Sequence, residues 1–166
     1  MRIAVIADTH DRYPDWLPAR LREADEIWHA GDFGELTVSD RLSALKPFRG
    51  VYGNIDDQKL RSVHPEHDFF EVEKMKVLMI HIAGPFGSYS PQTRKLVEEV
   101  RPDVLVCGHS HILKVQFDTK NKLLYLNPGA AGKHGFHKVR TLLRFTVDGD
   151  RLKDLEAVEL GARGSL

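Results

Sequence analysis

Five short apolar runs in this chain each end in an aspartate, an asparagine or a histidine, and that repetition constrains the fold more than any other feature of the sequence. Residues 3–7 run into Asp8-Thr9-His10, residues 26–30 into Gly31-Asp32, Val51-Tyr52 into Gly53-Asn54, residues 77–80 into His81, and residues 104–107 into Gly108-His109-Ser110-His111. The runs read as strands, and those over 2–7 and 103–107 lack polar alternation, which marks strands covered on both faces. Amphipathic stretches separate them. Residues 14–24 predict a helix with Trp16, Leu17, Leu21 and Ala24 on one stripe, residues 38–45 one with Val38, Leu42 and Leu45 inward, and residues 91–101 one with Leu96, Val97 and Val100 inward. Residues 57–67 are polar and irregular and predict a surface loop with His64 and His67 solvated. Residues 68–81 predict a hairpin, strands 69–73 and 76–80 turning near Lys74-Met75. After Gly108 the pattern changes to strands alone, over 113–117, 123–126, 139–147 and 152–160, with turn signals such as Asn127-Pro128-Gly129 between them. An α/β half followed by a β-rich half, in a single domain over 1–166, is the organisation this predicts.

In an α/β sheet, ligand sites collect beyond the carboxyl ends of the strands. Glycines precede Asp32, Asn54 and His109, which predicts sharp or left-handed turns that let each side chain leave its strand for a shared pocket. Asp8 and His10 are spaced by two, as are His109 and His111, so in extended backbone each pair faces one side. Two aspartates, one asparagine and four histidines then converge on one rim. Oxygen and imidazole donors without thiolate suit manganese, iron, zinc or nickel, whereas magnesium or calcium would favour oxygen alone. Seven donors exceed what one catalytic ion with an open position needs, and fit two ions sharing a carboxylate.

Composition narrows the partners. Lys plus Arg and Asp plus Glu are both 24, so the formal charge is zero, which argues against a surface that binds nucleic-acid polymers through their phosphates. Cys107 stands alone, so no internal disulfide forms, and its apolar neighbours predict a buried thiol. Asp8 and His10 interrupt the apolar start before a signal-peptide core is complete, and no run approaches the roughly 20 residues of a membrane span. A cytoplasmic location is the expectation.

Asp8-x-His10, Gly31-Asp32, Gly53-Asn54, His81 and Gly108-His109-x-His111, in that order, resemble the motif series of the calcineurin-like metallophosphoesterases. The short length and Asn127-Pro128-Gly129 followed by a hairpin resemble their small YfcE-like phosphodiesterase branch. The resemblance implies a four-layer αββα sandwich and a small-molecule phosphoester substrate. It further implies two divalent transition-metal ions, manganese foremost, and a homodimer or higher homo-oligomer. Residue by residue, it implies that Asp8, His10 and His111 hold one metal and that Asn54, His81 and His109 hold the other. Asp32 would bridge both, with a metal-bridging water as nucleophile; Asp32, Asn54 and His109 are the expected catalytic residues. Two departures stand out. Many members follow Gly-Asn with a histidine that protonates the leaving group, whereas this chain has Ile55, and His81 is followed by Ile82 where the family more often has glycine.

Competing expectations are a protein-binding scaffold with a vestigial metal site, like the retromer subunit of this fold, and a nuclease. His29, inside an apolar run, is expected to be structural; Asp56 either orients the Asn54 loop or is solvated. His134 and His137 follow the Asn127-Pro128-Gly129 turn and are candidates to overhang the site, and residues 83–90 form either a substrate-side loop or a plain connection.

Overall fold

The computed structural model describes residues 1–164. The chain order is β1 (Arg2–Ile6), α1 (Leu17–Leu21), β2 (Glu26–His29), α2 (Leu36–Leu45), β3 (Phe48–Gly50), α3 (Gln58–Val63), β4 (His67–Val72), β5 (Met75–Ile80), α4 (Pro91–Val100), β6 (Val104–Val106), β7 (Leu113–Asp118), β8 (Leu123–Pro128), β9 (Val139–Asp148) and β10 (Arg151–Ala162). Two five-stranded sheets result, ordered β10-β9-β1-β2-β3 and β4-β5-β6-β8-β7. In the first, the parallel strands β1, β2 and β3 run to one edge with antiparallel β9 and β10 on the other side; in the second, the parallel β5, β6 and β8 are flanked by antiparallel β4 and β7.

Period-two alternation along the buried strands sorts their side chains into two layers. From β1, Ile3 and Val5 point between the sheets with Trp28, Val77, Met79 and Val106, while Ala4 and Ile6 point outward to Leu17, Leu21, Leu42 and Leu60 of the three helices on that face. Leu78, Ile80 and Leu105 meet Val97 of α4 on the opposite face. This is the αββα sandwich. No helix among the described residues is long and apolar enough to cross a membrane.

Several expectations are corrected. The two halves interleave: β9 and β10 return to pair beside β1, and β7 and β8 complete the second sheet. Antiparallel return strands are chosen by which sheet edge is open, which no local pattern records. The helix expected over 14–24 is only Leu17–Leu21, with turns on either side, although Leu17, Leu21 and Ala24 are buried as expected. Residues 57–67 are not a loop but contain α3, whose N-cap Asp57 accepts from the Lys59 and Leu60 amides; Leu60 is its single buried residue. His64 is not solvated: it is buried, lies 2.6 Å from Ser39 Oγ and stacks on Phe33, and His67 is half-buried. The hairpin turns one residue earlier than expected, at Glu73-Lys74, where Glu73 adopts φ 54°.

Candidate metal centre

The carboxyl ends of the parallel strands of both sheets meet at one rim, where the His109 amide donates to the Asp8 carboxylate and His81 Nδ1 lies 2.7 Å from Ala30 O across the two sheets, and loops within each sheet bond to one another. The amides of Asp8, His10 and Asp11 donate to the carbonyls of Gly31, Asp32 and Phe33, and the Gly108 amide donates to His81 O. All seven expected donors come together there, in two groups. His10 Nε2 lies 3.2 Å from His111 Nε2, and Asp8 Oδ1 lies 3.4 Å from His111 Nε2. Asn54 Oδ1 lies 3.1 Å from His81 Nε2 and 2.9 Å from His109 Nδ1. Asp32 stands between, with Oδ1 3.2 Å from His81 Nε2 and Oδ2 3.7 Å from His10 Nε2. Donors about 2.1 Å from one first-row ion, at tetrahedral or octahedral angles, are about 3.0–3.4 Å from each other. Five of the six separations, 2.9–3.4 Å, are of about that size, the Asp32 Oδ2 approach to His10 being longer at 3.7 Å, and thiolate is absent: Cys107 is buried, which pushes its thiol up to about 12.

The backbone device differs from the expected one. Of the three preceding glycines only Gly31 is left-handed (φ 95°); the donors themselves are, with Asp8 at 53°, His10 at 45°, Asp32 at 58°, His109 at 68° and His111 at 58°. Such conformations cost non-glycine residues of order 1–3 kcal/mol each and are least costly for residues such as Asp and His. They also replace the extended backbone assumed above, so His109 and His111 do not face one side; they join opposite groups. Gly53 is needed for space instead: a Cβ there would overlap the Asp32 carboxylate and amide.

Burial by itself would raise the Asp32 carboxyl. The His81 hydrogen bond and charge, with the Ile55 amide at 3.1 Å and His10, hold it below the ordinary carboxylate range. Burial likewise works against a charged His81, but Asp32 and Asp8 raise it overall. The Asp8 hydrogen bond raises His111. Burial lowers His10, against Asp32 and Asp8, and it lowers His109 with help from His81.

Two supports lie behind the donors. His29 is fully buried, stacked 3.7 Å over Phe33, and burial drives it well below the usual imidazole value, so it is neutral and structural. Its Nδ1 accepts the Gly31 amide and its Nε2 lies 3.0 Å from Thr9 Oγ1, tying the Asp8 and Asp32 loops together. In the sequence, the one signal for Thr9 is its place between Asp8 and His10. Asp56 is buried and accepts the Gly53 and Gly34 amides, so it orients the Asn54 loop. His134 and His137 do overhang, with ring centroids 4.9 Å from His10 and 5.3 Å from His111. The segment 83–90 is a tight connection closed by the Ser90 amide on Ala83 O, with Tyr89 buried.

Comparison with known proteins agrees with this arrangement. The model of the calcineurin-like phosphoesterase superfamily domain matches residues 1–150. A protein named probable metallophosphoesterase from Methanothermobacter thermautotrophicus is 32% identical over 98% of this chain and 94% of its own length. One named phosphodiesterase from Methanocaldococcus jannaschii is 27% identical over 78% of this chain and 83% of its own. Among solved structures, Vps29 of Entamoeba histolytica superposes with a TM-score of 0.76 at 18% identity, covering 97% of this chain and 99% of that one, which shows the shared fold alone. The match over nearly the whole chain shows that this protein belongs to the calcineurin-like phosphoesterase superfamily.

Proposed function

We propose that the protein is a phosphodiesterase in which Asp8, His10 and His111 hold one divalent ion, Asn54, His81 and His109 a second, and Asp32 both. The observation that carries this reading is the two-sided carboxylate of Asp32, one oxygen turned to each donor group. Manganese is the proposed ion, as suits mixed oxygen and imidazole donors. Divalent ions held here would supply Lewis-acid neutralisation of the phosphoryl oxygens and an acidified water. The chain's own part is positional: the His29–Thr9 tie and Asp56 keep the loops in register, while Asn54 and His109 stand at the exposed edge where a phosphoryl group first meets the site. The jannaschii relative's name, phosphodiesterase, supports the diester assignment.

Ile55 sets the leaving-group preference. It is 44% exposed and lines an open cleft of about 620 Å³ with His10 and His134. A side chain without a proton to give cannot act as general acid, a contribution typically worth about 10²–10⁴-fold. With manganese present, bis(p-nitrophenyl) phosphate is therefore expected to be hydrolysed at least about a hundredfold faster than a simple alkyl phosphomonoester. Equal or faster turnover of the alkyl monoester contradicts the assignment, and folded protein with no metal-stimulated hydrolysis of either favours the scaffold reading.

A further inference from the structure

We infer that the cleft beside His10 is a subsite for a second phosphate, so that the substrate of the proposed site is a phosphodiester one of whose arms carries a further phosphate group. The inference rests on the diesterase reading for the reacting end and on the cleft for the other. Although the chain is neutral overall, several cations meet here. Arg12 and Lys133 line the cleft with His10 and Ile55, and both also line an adjoining depression of about 390 Å³ that Arg41 enters. Each space is by itself within the size of small-molecule sites, about 300–1,000 Å³.

None of the ion pairs among the described residues involves Arg12, Arg41 or Lys133. Asp11 and Glu35 share the lining, and Thr37 Oγ1 donates to Glu35. The guanidinium of Arg41 lies over the Tyr13 ring at 4.0 Å, which fixes its position without neutralising it. Arg12 and Lys133 are mounted on the loops that form the metal centre. The Arg12 amide donates to Thr9 O, and the Gly132 amide, immediately before Lys133, donates to Asp8 O. The backbone bonds fix where these cations are mounted, and although each long side chain still loses rotamer freedom on binding, charge-assisted contacts to phosphate are among the stronger hydrogen bonds. No step of the proposed hydrolysis needs them.

The test uses the full chain with manganese and two thymidine 5′-(p-nitrophenyl phosphate) probes, identical except that one bears a 3′-phosphate. A matching pair built on propanediol separates a nucleotide from any other phosphorylated arm. At low salt kcat/KM is expected to be about tenfold or more higher for the phosphorylated probe, through KM. Lys133→Ala and Arg12→Ala should each cut that ratio at least threefold, the double variant should bring it near one, and Lys133→Arg should retain it. Calorimetry gives a readout free of turnover: thymidine 3′,5′-bisphosphate should bind about tenfold tighter than thymidine 5′-phosphate, and the double variant should lose that difference. A ratio near one in the natural chain, or one indifferent to the substitutions, overturns the subsite. Hydrolysis of both probes without preference leaves the diesterase reading standing and this inference refuted. Binding preference without any diester hydrolysis refutes the diesterase reading and with it the substrate assigned here, leaving only a site that binds phosphate.

Discussion

Asp32→Asn is expected to lower kcat/KM for bis(p-nitrophenyl) phosphate by about a thousandfold, several kcal/mol of transition-state stabilisation. The substitution keeps size and shape, so one oxygen still accepts the Ile55 amide and the fold should survive, as circular dichroism and thermal melting would check. What it removes is the buried negative charge between the two donor groups, the only expected donor whose oxygens face both. An amide binds a divalent cation far more weakly than a carboxylate and turns one nitrogen toward an imidazole. A variant retaining a tenth or more of the activity would contradict the role given to Asp32.

Trp28→Ala is expected to cost about 3–5 kcal/mol of stability. Trp28 is fully buried between the sheets, edge-to-face with Phe70 of β4 at 5.1 Å and with Phe145 of β9 at 5.6 Å, and its Nε1 donates to Glu26 Oε1. Truncation leaves a void lined by both sheets and orphans that carboxylate oxygen in part, although Arg49 still pairs with it. Urea unfolding should show a lower midpoint at unchanged slope, and a loss below about 1 kcal/mol would show that the inter-sheet core does not depend on this side chain.

The site was legible in the sequence because strand ends are. An apolar run such as residues 3–7, halted by Asp8, carries both its burial and its exit, and parallel strands place such exits on one side. What joins the two sheets' exits was less legible. The left-handed backbone at Asp8, Asp32 and His109 lets a donor turn off its strand, and the sequence offers only the residue types that tolerate it. Gly53 does open a tight turn, closed by the Asp56 amide on its carbonyl, but what requires glycine there is room for Asp32, a contact between positions 21 residues apart that no local pattern encodes. Helix α3 was missed because a single apolar anchor, Leu60, makes no periodicity, though Asp57 as N-cap was there to read. His64 looked solvated among polar neighbours, and only the tertiary packing of Phe33 and Ser39 buries it.

The most direct measurement of the central claim is anomalous diffraction at the manganese edge from crystals of the full chain grown with that ion. Two peaks per chain are expected. One should be ligated by Asp8, His10, His111 and Asp32, the other by Asn54, His81, His109 and Asp32, with ligand distances of about 2.0–2.3 Å. A single peak, no peak at saturating manganese, or two peaks without Asp32 as a shared ligand would contradict the account.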